Sequence, residues 1–361
     1  MSEQKERAFG FEGTWRDYAP IAFSNLLLII VTLGVYRFWA TTRTRRYLWS
    51  RTRFIDEPLE WTGTGVELLV GFLLVLVLFG IPFVFLQLIG QGLILQGYPG
   101  IAAGLFLAAF GTIFYLTGVA RLRMLRYRLS RTWWHGIRGG SDNRGWAYGW
   151  SYVWRTTVGW LALGLLIPWS MTTLWNDRWN AMSFGPFPFR ATAMPGQVFR
   201  RFLLFYLLPF IIFAAVVAAI SFGAGALLMS GSLDPDLSQG PAGFLLGALV
   251  ILLIYGAIGL VALAYYSKFF RIAVSSMTLS GLDFSFSART KDWIKLILGD
   301  IALVVLTLGV GLVFLSYRHW KFFITHLDAS GEISMSQLTQ STTAAPGQGE
   351  GLADAFDMAA I

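Results

Sequence analysis

Few residues of this chain are of the types that carry out chemistry. The 361 residues include no cysteine and only three histidines, His135, His319 and His326. No pair of carboxylates stands near these histidines at the spacing of metal ligands. A glycine-rich phosphate loop and a serine in a nucleophile elbow are also missing from the sequence. The sequence therefore predicts a protein that is not an enzyme and that uses no metal or cofactor.

Three polar residues recur at one position relative to a Leu-Gly pair. Asn25, Arg155 and Asp300 each lie nine residues before such a glycine, within or beside an apolar segment. Charged groups at membrane depth are costly and usually face a partner or a cavity. One hypothesis is that the three line a shared polar site, as at the broken helices of transporters. The alternative is that Arg155 and Asp300 mark the interfacial ends of their segments, where arginine reaches water.

Two clusters of arginine directly follow apolar segments. The first cluster is Arg43, Arg45, Arg46, Arg51 and Arg53, and the second is Arg121, Arg123, Arg126, Arg128 and Arg131. Cations beside a bilayer attract anionic lipid by roughly 1 kcal/mol each, and arginine with tryptophan also anchors helices at the interface. We therefore expect the clusters to anchor helices or to bind an anionic lipid or ligand. Nucleic acid is not an expected partner, because these residues adjoin the bilayer.

The elements that position these residues are predicted to be membrane helices. Hydrophobic residues make up 55% of the chain and charged residues 13%, against roughly 45–50% and 25% in soluble domains. No Asp, Glu, Lys or Arg occurs from 68 to 120, from 202 to 229 or from 242 to 266. A crossing helix takes roughly 20 apolar residues. The sequence thus predicts two transmembrane helical hairpins, at 66–120 and 199–267.

Three shorter apolar segments, at 18–36, 156–176 and 301–317, share a pattern. Each has leucine before a glycine and an aromatic residue five positions after it. The shared positions include Gly34, Trp39, Gly164, Trp169 and Gly309. This pattern predicts a triplicated unit, at about 9–65, 139–195 and 284–334. Chance similarity among apolar segments is the alternative.

The distribution of cations predicts how these segments lie. If all seven segments crossed, the 28 lysines and arginines would divide almost evenly, 12 against 16. If only the two long hairpins cross, all 28 fall on one side, since neither hairpin turn contains any. Positive residues collect on the cytoplasmic side. We therefore expect cytoplasmic termini and three re-entrant or half-buried segments, each broken near its glycine.

The predicted fold class is an all-α polytopic membrane protein with short β-hairpins on the cytoplasmic side. Residues 1–334 form its single membrane domain. Residues 335–361 are rich in Ser, Thr, Gln, Ala and Gly and have too little apolar surface to fold alone. We expect them to form a disordered tail.

A family resemblance is carried by the first repeat unit. Its residues are Asn25-Leu-Leu-Leu, Thr32-Leu-Gly-Val-Tyr-Arg-Phe-Trp39, Arg43, Arg45-Arg46-Tyr47 and Trp61-Thr-Gly-Thr-Gly65. This pattern resembles the bacterial YjgN-like inner-membrane proteins, a family of unknown function. The resemblance implies a multi-pass protein of the bacterial inner membrane and brings no activity or catalytic residue. The second unit departs from the pattern with Arg155, and the third with Phe314 in place of the tryptophan.

Two functions are compatible with these features. The leading hypothesis is a transporter or channel for a small solute or ion, which predicts a continuous polar cavity reaching the bilayer centre. The alternative is a non-catalytic envelope protein that binds anionic lipid or organises membrane partners. This alternative predicts a closed core in which the polar residues satisfy one another or water. Substrate and oligomeric state stay open.

Overall fold

The computed structural model describes residues 7–230, 241–333, 335–345, 347 and 354. Within these ranges, short strands alternate with pairs of helices. The helices are α1 (Trp15–Val31), α2 (Arg37–Ser50), α3 (Gly65–Val75), α4 (Ile81–Leu95), α5 (Pro99–Arg131), α6 (Trp146–Leu161), α7 (Ile167–Asn180), α8 (Gly196–Ser230), α9 (Pro241–Ser275), α10 (Thr290–Leu306) and α11 (Leu315–His326). The strands are β1 (Phe9–Phe11), β2 (Thr52–Phe54), β3 (Glu57–Pro58), β4 (Glu60–Trp61), β5 (Thr132–Trp134), β6 (Ile137–Gly140), β7 (Ser183–Phe184), β8 (Phe187–Ala191), β9 (Met277–Leu279), β10 (Leu282–Phe286) and β11 (Leu327–Gly331).

Four helices are long and apolar enough to cross a membrane. They are Gly65–Leu95, in which a π-helical turn joins α3 to α4, Pro99–Arg131, Gly196–Ala218 and Gly247–Ser275. In the most apolar 18-residue stretch of each helix, at most 11% is buried inside the protein. Exposed apolar surface of this extent is typical of a membrane or protein contact face. These helices coincide with the two predicted long hairpins. Residues 231–240, in the turn of the second hairpin, lie outside the described residues.

The first long hairpin is held together at its base by Glu67. A capping box begins α3, because Glu67 N–H donates to the Thr64 hydroxyl (3.3 Å) and the Glu67 carboxylate accepts from Thr64 N–H (3.4 Å). The same carboxylate accepts hydrogen bonds from Arg131 (2.7 Å) and Tyr127 (2.9 Å) near the end of α5. One acid therefore caps α3 and ties its start to the end of α5.

Each of the three shorter segments is broken at its Leu-Gly pair. Leu33, Leu163 and Leu308 have φ of 50°, 52° and 49°, and the glycines that follow have 91°, 81° and 91°. A left-handed pair ends a helix and turns the chain back. The three leucines are 94%, 78% and 94% exposed at the tips of the resulting short hairpins, α1/α2, α6/α7 and α10/α11. The break thus lies at the glycine where the sequence places it.

The prediction of an all-α fold is wrong, because the strands form substantial sheets. Strands β4 to β11 make an eight-stranded antiparallel half-barrel in chain order, and β1 to β3 make a second sheet. The strand pairs β1–β2, β4–β5, β6–β7, β8–β9 and β10–β11 close the bases of the five helical hairpins. The strands have two to five residues each, which is too short for an alternating pattern to stand out.

The smaller sheet meets both ends of the half-barrel. At one end, Ala8 N–H donates to the carboxylate of Asp328 in β11 (2.9 Å). At the other, Leu59 lies between β3 and β4, and its N–H donates to the Thr52 carbonyl of β2 (2.8 Å). The strands therefore surround an interior that is lined by apolar side chains, among them Phe54, Trp134 and Phe189.

Candidate functional site

The polar residues at the repeated register each have a partner in their own short hairpin. The Asn25 side-chain oxygen accepts from Arg43 (3.1 Å), and its amide donates to the Ala40 carbonyl (3.3 Å). Arg155 pairs with Asp177 at 2.6 Å. The partners lie 18 and 22 residues further along, on the second helix of the same hairpin.

Asp300 follows the same arrangement in the third hairpin. Its carboxylate contacts Arg318 (2.6 Å) and His319 (2.7 Å) on α11. Among the described residues, no hydrogen bond or ion pair joins Asn25, Arg155 and Asp300 to one another. Their hydrogen bonds and ion pairs join the two helices of each short hairpin, which is a structural use of the polar groups.

A cavity of about 810 Å³ lies between the strands and the first and third short hairpins. Its walls come mainly from apolar residues of the sheets, such as Trp134, Phe189 and Leu279. On the helical side it reaches Ile29 in α1 and Val313 beside the third tip. Ligand pockets of proteins are generally about 300–1,000 Å³, mostly apolar, with a few polar groups. This cavity fits that description.

Two arginines of the cavity wall hold a buried carboxylate from the chain's own tail. Arg45 donates both terminal nitrogens to Asp354, one of them at 3.1 Å, and Arg128 donates its Nε to the same carboxylate at 2.6 Å. The side chains of Arg45 and Asp354 are 9% and 0% exposed. The Arg45 guanidinium also lies 5.1 Å from the centre of the Trp61 ring. The arrangement is a receptor for one anion.

Electrostatics favour the charged form of Asp354. Burial alone would raise the pKa of this carboxyl, but the positive charges of Arg45 and Arg128, and the hydrogen bonds they donate, lower it below its ordinary value. The carboxylate therefore stays ionised at neutral pH. An anion of comparable size would meet the same two guanidinium groups.

The remaining members of the predicted arginine clusters serve different contacts. Arg43 holds Asn25, and Arg46 is exposed. Arg123 donates to the Arg144 carbonyl at 2.9 Å, and the buried Arg126 donates to the Ala344 carbonyl at 3.4 Å. Arg121 lies over the Tyr152 ring at 5.0 Å.

Sequence reasoning placed Arg45 and Arg128 in the two arginine clusters but did not predict their shared partner, Asp354. Asp354 stands in a tail without periodicity, so no pattern in the sequence marked it. The repeat positions Gly34, Gly164 and Gly309 lie at the hairpin tips, away from the anion site.

Part of the predicted tail lies against β5 and β6. The Gln340 side chain accepts from Arg138 N–H (3.2 Å) and donates to the Gly136 carbonyl (3.0 Å). Arg138 also donates to the Thr343 carbonyl. Residues 335–345, which the sequence assigns to a disordered tail, therefore have defined contacts. Residues 346, 348–353 and 355–361 lie outside the described part, so the prediction stays open there. Over the described ranges, no group of three His, Asp or Glu side chains is placed to hold a metal ion.

Exposed apolar helices joined at their bases by strands define a membrane protein. Residues 6–355 match the DUF898 family, described as bacterial proteins of unknown function, so the chain belongs to that family. The resemblance predicted from the first repeat unit is confirmed, because curated relatives carry the name inner membrane protein YjgN.

The relatives match over limited stretches. The chain is 28% identical over 141 residues to inner membrane protein YjgN of Salmonella typhimurium, covering 38% of this chain and 33% of the relative. It is 35% identical over 63 residues to inner membrane protein YjgN of Escherichia coli, covering 18% of this chain and 16% of the relative. The matches thus span a third or less of these relatives. No solved structure matches the chain.

Proposed function

We propose that this protein is a non-catalytic protein of the inner membrane that binds an anionic lipid. The acyl part of the lipid occupies the 810 Å³ cavity, and its headgroup meets Arg45 and Arg128. The observation that carries the proposal is the pairing of an apolar cavity with two arginines that already bind a buried carboxylate.

The chemistry of the cavity favours a long apolar chain over a polar solute. Burying one methylene contributes about 0.8 kcal/mol, and the cavity offers Phe, Trp, Leu and Met side chains for this purpose. Arginine is suited to phosphate and carboxylate groups because its planar fork donates two parallel hydrogen bonds. A ligand with both parts would satisfy both features of the cavity.

Asp354 supports the assignment because it takes the place of a headgroup. Its carboxylate makes the contacts with Arg45 and Arg128 that a lipid phosphate would make. A bound lipid would therefore compete with the tail for the two arginines.

The proposal does not extend to transport. The transport hypothesis requires a continuous polar cavity, whereas the wall of the large cavity is mainly apolar. Of the three polar residues proposed to line that path, only Asn25 lines the large cavity, and each of the three is paired within its own hairpin.

The proposal includes a membrane arrangement, with the strands on the cytoplasmic side and the short hairpins entering without crossing. The absence of lysine and arginine from the long-hairpin turns supports this orientation. We also propose that the short hairpins are copies of one unit. Their left-handed Leu-Gly tips and their polar partners 18, 22 and 18 residues apart support a common origin.

Native mass spectrometry of the purified full chain tests lipid binding. We expect added phosphatidylglycerol to be retained in preference to phosphatidylcholine. Arg45→Gln should weaken retention at least tenfold, whereas Arg46→Gln, one residue along on the same helix, should leave it unchanged. Met277→Trp should also weaken it by filling the cavity, which Met277 lines. Equal retention by all variants would contradict the proposal.

A further inference from the structure

A second and smaller cavity lies between α5, α6, α7 and α9. Its volume is about 380 Å³, and it is lined by residues that include Arg121, Tyr152, Trp175 and Arg178. It shares Trp175 and Phe270 with the lining of the large cavity, but it does not contain Arg45 or Arg128. No Asp or Glu is among the residues that line it.

Two donor groups of residues that line this cavity have no acceptor. In the described part of the chain, Nε of Arg178 and the indole N–H of Trp175 are buried and have no hydrogen-bond partner. A buried donor that is left unpaired costs about 1–3 kcal/mol, and an unpaired buried charge costs more. Unsatisfied groups of this kind call for an unseen ion or ligand.

Aromatic rings position both guanidinium groups. Arg178 lies 5.4 Å from the centre of the Trp175 ring, and Arg121 lies 5.0 Å from that of Tyr152. Such stacking uses the face of the guanidinium and leaves its edge N–H groups available. Neither arginine has a carboxylate partner among the described residues, because the neighbouring Asp177 pairs with Arg155.

We infer that this cavity is a phosphate-binding site, separate from the proposed lipid cavity. Two guanidinium groups and an indole N–H, with no acid among the lining residues, form a receptor for an anion with several acceptor oxygens. The phosphate of a lipid headgroup is the favoured source, because α5 and α9 include membrane-crossing helices and basic pockets between such helices bind headgroups. Inorganic phosphate would present the same oxygens.

The test compares Arg178→Gln and Arg121→Gln with Arg123→Gln in the full-length protein. Arg123 serves as the control because it lies on the same helix but donates to Arg144 outside the cavity. In one arm, inorganic phosphate is titrated and the midpoint of thermal unfolding is measured. In the other, bound phosphatidylglycerol is counted by native mass spectrometry.

We expect the two cavity variants to weaken phosphate or lipid binding at least fivefold and the control variant to leave it unchanged. If the cavity variants weaken only the binding of phosphatidylglycerol, the ligand is a lipid headgroup. If they also weaken the response to inorganic phosphate, a free phosphate ion is sufficient for binding. Arg121 is exposed, so Arg121→Gln remains informative if Arg178→Gln does not fold. Binding equal to the control in both arms overturns the inference.

The outcome is independent of the lipid cavity. If both sites exist, Arg45→Gln removes one bound lipid and Arg178→Gln removes another. If the large cavity binds nothing, Arg45→Gln has no effect while Arg178→Gln still removes its ligand.

Discussion

At the scale of single residues, the anion site shows how a charge can be buried at low cost. Asp354 is fully enclosed, yet it accepts hydrogen bonds from two arginines, and one of these stacks near an aromatic ring. Breaking a buried pair on one side costs about 3–5 kcal/mol. The tail contact therefore depends on both the acid and the arginines, and it is sensitive to the charge of the acid.

Asp354 is expected to hold the tail at neutral pH and to release it in acid. The pKa of this carboxyl is lowered from its ordinary value of 3.8 when the tail is bound. The stabilisation is therefore fully present above 3.8 and is lost as the pH falls through the lower, bound-state value. A nitroxide attached at Gly347→Cys, in a chain without native cysteine, should be immobile at pH 7 and mobile in strong acid.

The control for this experiment is the neutral variant Asp354→Asn, in which the label should be mobile at every pH. Asp357→Asn removes an acid from the same tail and should behave like the native sequence. A label that stays immobile in Asp354→Asn would show that the two arginines do not hold the tail.

At the scale of elements, the helices were predictable and the strands were not. A run of 53 residues without charge, such as 68–120, allows few structures other than membrane helices. The tips were predictable as well, because glycine after leucine marks a chain reversal. The paired strand residues lie up to 90 positions apart along the chain, as Phe189 and Leu279 do, and no local pattern records such pairing.

For the three polar residues before the tips, the sequence indicated the positions but not the contacts. Asn25, Arg155 and Asp300 were predicted to be equivalent positions, and each lies on the first helix of its short hairpin and bonds to a residue on the second. Their partners were not predicted, because residues 18 to 22 positions apart come into contact only when the chain reverses at the hairpin tip. The tip geometry thus decides whether such a residue faces its own hairpin or a neighbour.

A charge exchange in the second short hairpin tests this pairing. Arg155→Asp should destabilise the protein by roughly 1 kcal/mol, the scale of a partly exposed ion pair, because Asp177 loses its partner. The double variant Arg155→Asp with Asp177→Arg should recover most of the loss, measured as the thermal midpoint of the purified protein. Arg155→Asp with Asp300→Arg should not recover it. Recovery by the second combination would instead favour a site shared between hairpins.

At the scale of the whole molecule, five helical hairpins share one base of strands. The cavity walls come from residues as far apart as Phe9 and Ile333, so the cavity exists only when the sheets are assembled. This explains why composition and motifs predicted the membrane class and the broken segments but not the apolar cavity. Asp354, the acid that pairs with Arg45 and Arg128 of the cavity wall, comes from still further along the chain.

The shared base leads to a prediction about sidedness. Glu12 and Glu57 are exposed and flank the first short hairpin, whereas the exposed Gln96 lies at the far end of the first long hairpin. Single cysteines at these positions can be labelled in sealed inverted vesicles with a reagent that does not cross membranes. We expect Glu12→Cys and Glu57→Cys to react from the cytoplasmic side and Gln96→Cys only from the opposite side. Leu33→Cys, at the hairpin tip, should react from neither, because a re-entrant tip stays within the hydrocarbon. Labelling of Glu12→Cys and Glu57→Cys from opposite sides would mean that the short hairpin contains a complete crossing, and the proposed arrangement would fail.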